Sequence, residues 1–195
     1  MIENTVERYI HHLELPVFYP NIFTPEECKR IVEIAKKERN LPFQKAMEKI
    51  YEKKVDVKGM IMPHQNPESL KFISRVQKVA IDTNNNHFKF DASYFSPVFI
   101  LEYLKDSFAY NHVDISRSDN TFPKMNILIF LSDPNDYQGG RIVWQHLPPE
   151  IMNTYKQEQG TMVMFPSFLC HNVEPIISGE RYSYTNMYCS NNSFR

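Results

Sequence analysis

A chain of 195 residues with 42% hydrophobic and 13% aromatic residues can fill one sizeable core, so we expect a single domain spanning residues 1–195. The net charge of −1 gives no electrostatic basis for a nucleic-acid or anionic-membrane partner. No stretch approaches the roughly 18–20 apolar residues that cross a bilayer, and the three widely spaced cysteines (Cys28, Cys170 and Cys189) indicate a reducing, cytoplasmic compartment.

The first part of the chain, to about residue 87, predicts helices that pack on a larger body. The N-terminus itself lacks the apolar core of a signal peptide. Residues 13–23 are mostly apolar with two prolines, which is typical of a short edge strand. Residues 24–27 combine a capping threonine, a proline and a capping-box glutamate, and an apolar stripe at helical spacing follows. Residues 66–69 begin a second helix in the same way, and residues 82–86 end it.

Two segments give weaker patterns. Residues 44–65 interleave charges with apolar residues and predict a strand pair or a long loop. Residues 115–124 are polar and follow the proposed ligands directly, as a substrate-facing lid would.

After Phe88 the apolar period changes from about 3.6 to 2, and aromatic and β-branched residues dominate. Short strands separated by turn signals, after two helices, predict a mainly β sandwich with N-terminal helical buttresses. The core would span about residues 88–190. The predicted strands are residues 88–95, 97–104, 108–113, 125–131, 141–145, 160–165, 172–175 and 181–188.

His112 and Asp114 are the most informative pair in the chain. Two residues apart on a strand, they lie on one face with α-carbons roughly 6–7 Å apart, so both can reach one metal ion. His171 is the leading candidate for a third ligand. Two histidines and one carboxylate on one side of an ion leave the other side open, which is the ligand set of non-haem Fe(II) oxygenases.

The order of motifs after Tyr103 resembles the Fe(II)/2-oxoglutarate-dependent dioxygenases, in particular the prolyl 4-hydroxylase and PKHD-type hydroxylase branch. The motifs that carry the resemblance cover about the C-terminal half of the chain, whereas residues 24–28 resemble the usual N-terminal buttress more loosely. The resembling segments are residues 112–114, 126–131, 132–140, 160–166, 171–175 and 179–183. The family fold is a double-stranded β-helix, a jelly-roll variant, which agrees with the strand count.

The resemblance implies a role for six residues. His112, Asp114 and His171 would bind Fe(II), and Arg181, ten positions after His171, would bind the distal carboxylate of 2-oxoglutarate. A guanidinium suits that role because it grips a carboxylate with two parallel charge-assisted hydrogen bonds. Ser183 and Tyr103 would complete the co-substrate pocket. Phe130 stands where some members have a tyrosine.

The implied activity is hydroxylation of an unactivated C–H bond with O2 as oxidant, with release of succinate and CO2 and with ascorbate as a reductant. An intact Asp114 favours hydroxylation over halogenation, which needs a small residue at that place. A peptidyl proline is the expected substrate by resemblance, and a free amino acid or a small metabolite remains open.

Other interpretations of the same residues remain open. The domain could be a non-catalytic jelly-roll module that binds a ligand or partner chain, or a zinc hydrolase with the same three ligands. His146 competes with His171 as the third ligand but lies in a predicted loop. Because histidine ligands must be neutral, metal affinity should weaken below about pH 6.5.

Overall fold

A computed structural model describes residues 16–37, 57–115 and 121–193. The helices are α1 (Pro25–Lys37), α2 (Pro67–Thr83) and α3 (Pro149–Met152). The strands are β1 (Val17–Tyr19), β2 (Val57–Ile61), β3 (Tyr94–Phe95), β4 (Phe99–Tyr103), β5 (Ala109–His112), β6 (Phe122–Phe130), β7 (Tyr137–Gly139), β8 (Ile142–Trp144), β9 (Met162–Pro166), β10 (His171–Val173), β11 (Ile176–Gly179) and β12 (Arg181–Ser190).

The strands form two antiparallel layers. The major sheet has seven strands, in the order β1-β9-β6-β12-β4-β2 with β3 added beside β12. The opposite layer consists of the three-stranded sheet β5-β10-β8 and the pair β11-β7. Side chains of both layers meet in two buried clusters, one around Trp144 and Phe165 and one around Tyr103 and Ile176. The predicted jelly-roll core with N-terminal helices is confirmed.

The alternation of side chains along the central strands separates the two faces of the major sheet. Ile127 and Ile129 of β6 face the helices and join the largest core cluster, which includes Ile31 of α1 and Val76 of α2. Phe130 faces the second layer and packs in the cluster with Trp144. Because side chains on a strand alternate, Asn126 and Leu128 share the inner face with Phe130. Side chains on the inner face of the major sheet therefore line the space between the two layers.

Both predicted helix starts are confirmed. Glu27 N donates to Thr24 Oγ1 at 3.2 Å, and Thr24 N donates to Glu27 Oε2 at 3.1 Å, which is a capping box. Asn66 Oδ1 accepts from the first backbone N–H groups of α2. Glu27 also binds both terminal nitrogens of Arg75 at 2.7 and 2.8 Å, so the cap of α1 is tied to α2.

The predicted strand at residues 88–95 is wrong for most of its length. The chain instead leaves α2 through a π-helical turn, Asn84–Phe88, and Lys89 has φ of +57°, which interrupts an extended strand. The Asn84 amide then binds both the N–H and the C=O of Phe90 at 2.9 Å, so a side chain takes the place of a neighbouring strand. Only Tyr94–Phe95 pairs, with β12.

Other predictions are met in part. The segment at 44–65 contains β2, which pairs with β4, but its residues 44–56 lie outside the described ranges. The edge-strand prediction for 13–23 matches β1, while residues 13–15 are not described. Half of the lid predicted at 115–124, residues 116–120, is also outside the described ranges, and residues from Phe122 onward belong to β6. Among the described helices, none has the length and apolar character needed to cross a membrane.

Candidate active site

The antiparallel pairing of β5 with β10 brings two distant histidines together. His112, the last residue of β5, lies directly opposite His171, the first residue of β10. Their ring centroids are 4.3 Å apart with the planes tilted by 49°. The two imidazoles, 59 positions apart in the sequence, are therefore neighbours on one side of the inner cavity.

Asp114 completes a group of three potential metal ligands. Its Oδ1 lies 3.6 Å from His112 Nε2, and its Oδ2 lies 3.5 Å from His171 Nε2. The ligand atoms of all three residues fall within 4.8 Å of one another. Asp114 is held there by its own backbone, because its N–H donates to Ser167 O at 2.9 Å in the turn before β10. Two nitrogen donors and one carboxylate at this separation fit a single divalent ion.

Backbone contacts orient both imidazoles toward that point. His112 Nδ1 lies 2.6 Å from Tyr110 O, and His171 Nδ1 lies 2.9 Å from Leu169 O. A carbonyl oxygen can only accept, so each Nδ1 carries the proton, and each Nε2 keeps a lone pair that a metal ion beside Asp114 could accept. This is the arrangement expected of ligating histidines, in which a second partner fixes the tautomer.

Burial favours the neutral form of His171. The residue is 5% exposed, and desolvation lowers its pKa below 6.5, while the neighbouring Asp114 carboxylate opposes the shift and His112 reinforces it. Protons therefore compete with a metal ion for His171 only at a lower pH than the ordinary histidine pKa would suggest.

We expect the stability of the metal-free protein to decrease as the pH falls below about 6.5. His171 has a lower pKa in the folded state, so the unfolded chain binds more protons below that pH. The contribution of neutral His171 to the free energy of unfolding is fully present above the pKa that His171 has in the unfolded chain. It is lost as the pH falls through the lower pKa of His171 in the folded protein. Urea denaturation in EDTA at several pH values measures it, with His171→Leu as the comparison. An identical pH dependence in that variant would contradict this cause.

Arg181 is a buried cation that has no polar partner among the described residues. It is 1% exposed, and its Nε, Nη1 and Nη2 make no hydrogen bond within the described part of the chain. Its Cζ lies 5.1 Å from the ring centroid of Tyr103 and 5.6 Å from that of Phe130. Aromatic faces attract a guanidinium but satisfy none of its N–H groups. A buried charge of this kind requires an anion, and a carboxylate matches its donors.

Ser183 lies two residues along β12 on the same inner face as Arg181. It is fully buried, and its Oγ likewise has no hydrogen-bond partner among the described residues. Tyr103 pairs directly with Arg181 across β4 and β12 and is 5% exposed. The structure thus brings Arg181, Ser183 and Tyr103 together, with Phe130 opposite Ser183.

The guanidinium and the three donors line the same interior. Asn126 of β6 donates from Nδ2 to Asp114 Oδ2 at 2.6 Å, and four residues farther along the strand Phe130 contacts Arg181. Strand β6 on the inner face therefore contacts both the metal donors, through Asn126, and the guanidinium of Arg181, through Phe130. Asn126 was assigned no role from the sequence, although alternation from Phe130 would have placed it on this face.

Gly140 is a second residue whose role was missed. It has φ of +65°, and a Cβ there would collide with Ile176 Cδ1 and lie 2.9 Å from Arg181 Cδ. Its missing side chain therefore leaves the space in which the Arg181 side chain extends. The sequence indicated only a turn at residues 139–140.

We expect Gly140→Ala to weaken binding of 2-oxoglutarate, the co-substrate that the resemblance implies, while costing about 1 kcal/mol of stability. The new methyl group displaces Arg181, and positive φ adds strain. Gly139→Ala is the comparison, because its Cβ would meet the backbone oxygen of Pro175 and cost more stability without touching Arg181. Calorimetric titration and urea denaturation separate the two effects. Undiminished co-substrate binding in Gly140→Ala would contradict the contact.

His146 does not join the three donors. It follows β8 in a turn, and within residues 16–37, 57–115 and 121–193 the described group of three potential ligands is His112, Asp114 and His171. The sequence analysis favoured His171 over His146 as the third ligand, and that assignment stays a prediction.

Comparisons with known proteins bear on the family resemblance of this chain. The family model of the 2OG-Fe(II) oxygenase superfamily matches residues 98–189, the segment that holds β4 to β12. The resemblance to the 2OG-Fe(II) oxygenase superfamily is confirmed over residues 98–189. Members of this superfamily use Fe(II), 2-oxoglutarate and O2, and the three donors fit Fe(II).

Sequence relatives within the superfamily are PKHD-type hydroxylases. One from Shewanella baltica is 39% identical over 62 residues, which is 29% of this chain and 25% of the relative. One from Prochlorococcus marinus is 32% identical over 87 residues, 43% of this chain and 38% of the relative. The matched segments therefore span well under half the length of these curated relatives.

Solved structures of the superfamily share the fold over nearly the whole chain. A viral collagen prolyl hydroxylase from Paramecium Bursaria Chlorella virus-1 superimposes with a TM-score of 0.68 at 18% identity, covering 90% of this chain and 96% of the other. A Pseudomonas putida prolyl-4-hydroxylase gives 0.64 at 15% identity, covering 96% and 98%. At such identities the likeness shows the jelly-roll fold.

Proposed function

We propose that this protein is an Fe(II)- and 2-oxoglutarate-dependent hydroxylase that acts on proline residues of a polypeptide. The observation that carries the proposal is the buried guanidinium of Arg181, whose three nitrogens have no partner in the described chain, facing the interior that holds three metal donors. A five-carbon dicarboxylate with an oxo acid at one end satisfies both features. One domain over residues 1–195 would carry the activity.

Each residue has a defined task in this proposal. His112, Asp114 and His171 hold Fe(II) through two Nε2 atoms and a carboxylate oxygen. Arg181 and Ser183 donate to the distal carboxylate of 2-oxoglutarate, and Tyr103 and Phe130 enclose it in a dry pocket where these hydrogen bonds are strong. When bound, Fe(II) with 2-oxoglutarate and O2 supplies an oxidant for a C–H bond, and succinate and CO2 leave.

Exposed apolar side chains near the donors support a polypeptide substrate. Of the seven large hydrophobic residues that are exposed in the described chain, four flank the site: Tyr110, Val113, Ile115 and Phe168. The bond from Asp114 N to Ser167 O holds the segment with Val113 and Ile115 against the turn with Phe168. Exposed apolar side chains beside a site are typical of a binding surface, and they suit a proline ring within a polypeptide better than a free amino acid, which carries two charges.

The names of structural neighbours point to the same substrate class. They include the viral collagen prolyl hydroxylase, the prolyl-4-hydroxylase of Pseudomonas putida, and a Trichoplax adhaerens prolyl hydroxylase in complex with a hypoxia inducible factor peptide fragment, TM-score 0.67. The proposal extends this substrate class to the present chain.

The test is mass spectrometry after incubation with Fe(II), ascorbate, 2-oxoglutarate and 18O-labelled O2. Three substrates are compared: a proline-rich peptide, the same peptide with alanine for proline, and free L-proline. We expect one labelled oxygen in the proline peptide, a matching yield of succinate, and no change in the alanine peptide.

Other outcomes would contradict specific parts of the proposal. Labelling of the free amino acid alone would overturn the polypeptide substrate and retain the chemistry. No succinate from any mixture would identify a non-catalytic binding module. Turnover that persists without O2 and with Zn²⁺ would identify a hydrolase.

A further inference from the structure

The carboxylate of Asp114 stands in a nearly symmetric position between the two imidazoles. Its two oxygens lie 3.6 Å from His112 Nε2 and 3.5 Å from His171 Nε2, respectively. Nothing in the three donors alone therefore selects one oxygen as the ligand. A carboxylate with both oxygens free can bind an ion through one or through both.

Asn126 removes this symmetry. Its Nδ2 donates to Asp114 Oδ2 at 2.6 Å, and no bond from it reaches Oδ1 in the described chain. The direction of the bond is fixed, because an ionised carboxylate only accepts and the nitrogen of the amide is the donor. Asn126 is 5% exposed, so water does not compete with this bond.

The strand that carries Asn126 is held on both sides. Asn126 pairs with Met187 of β12 and with Phe165 of β9, in the middle of the major sheet. A side chain with two χ angles on a doubly paired strand is a rigid support. The amide therefore meets Asp114 at a place set by the sheet rather than by a loop.

We propose that Asn126 is a positioning residue that keeps Asp114 bound to the metal through Oδ1 alone. This inference rests on the proposed function, since it concerns the ion that the three donors would hold. A carboxylate that binds through both oxygens occupies one more coordination position than a carboxylate bound through one. By engaging Oδ2, Asn126 leaves open the positions that the oxo-acid end of 2-oxoglutarate and a third molecule need.

The test compares Asn126→Leu and Asn126→Ala with the unmodified protein by anaerobic titration with Co²⁺, whose visible absorption reports coordination number. Leucine keeps the shape of the side chain and removes the amide. Asn186→Ala is the matched control: Asn186 is 1% exposed and also donates at 2.6 Å, but to Ser96 O on the outer side of the sheet. Circular dichroism verifies that each variant is folded.

For both Asn126 variants we expect Co²⁺ affinity to fall about tenfold to 100-fold and the absorption to change. We also expect a smaller spectral response to 2-oxoglutarate, while Asn186→Ala retains all three properties. Unchanged affinity and spectrum in a folded Asn126→Leu would overturn the inference and leave the proposed function intact, as would equal losses in Asn186→Ala. Failure of the unmodified protein to bind Co²⁺ would overturn both.

Discussion

Replacing His171 with alanine is expected to remove Fe(II) binding and reduce turnover of 2-oxoglutarate to background. His171 supplies one of the three donors. Apart from His112, which is already a donor, no described histidine joins the group within 4.8 Å. Loss of a supporting partner alone costs 10-fold to 100-fold in metal affinity, so loss of a ligand should cost more than about 100-fold. Anaerobic titration with Fe(II) and succinate production measure the two effects.

His146→Ala is the control for this substitution. His146 lies between β8 and α3 in the sequence, and it is not part of the donor group. We expect it to bind Fe(II) and turn over 2-oxoglutarate like the unmodified protein. If instead His146→Ala lost metal and His171→Ala kept it, the assignment of the third donor would be wrong.

Arg181→Met is expected to produce two opposite effects. Without ligand, the variant should be more stable by about 1–3 kcal/mol, because an apolar side chain replaces a buried and unpaired charge. With ligand, 2-oxoglutarate should bind at least about 100-fold more weakly, because the charge-assisted bonds to its distal carboxylate are lost. Calorimetry and thermal denaturation, with Mn²⁺ in place of Fe(II) to prevent turnover, measure both.

Arg75→Met provides the contrast. Arg75 binds Glu27 through both terminal nitrogens and lies on α2, away from the inner face. Its replacement should lower the stability and leave 2-oxoglutarate affinity unchanged. A ligand-free Arg181→Met that is less stable than the unmodified protein, yet binds 2-oxoglutarate normally, would show that Arg181 is a structural residue.

Local spacing was sufficient to predict the parts of the site that depend on it. His112 and Asp114, two residues apart, come together as predicted although β5 ends at His112, and Arg181 and Ser183 share a face because side chains alternate along β12. The helix starts at Thr24 and Asn66 follow from capping chemistry within four residues. These features need no knowledge of distant contacts.

Features set by specific side-chain and strand contacts could not be predicted from the sequence. Residues 88–95 alternate like a strand, but the Asn84 side chain binds the backbone of Phe90 and Lys89 has a positive φ, so only Tyr94–Phe95 forms a strand. The pair β7 and β11 was missed because its short strands gain their pairing only when residues 137–139 and 176–179 meet.

The contacts of Asn126 with Asp114 and of Gly140 with Arg181 also exist only across the fold. Alternation can place a side chain on a face, but it cannot name the partner that a second strand or loop brings opposite. Both residues stand in motifs that the sequence did highlight, one in a strand and one in a turn. Their roles became visible once the distances were known.

The central claim is that the three metal donors bind Fe(II) and that the guanidinium of Arg181 binds the 2-oxoglutarate that chelates this ion. Anaerobic addition of 2-oxoglutarate to the Fe(II)-loaded protein tests it most directly, because chelation of iron by an oxo acid gives a weak visible charge-transfer band. We expect the band to appear and saturate at one equivalent of iron, to be absent in His171→Ala, and to require far more 2-oxoglutarate in Arg181→Met. A protein that binds Fe(II) but shows no band at any concentration of 2-oxoglutarate would contradict the account.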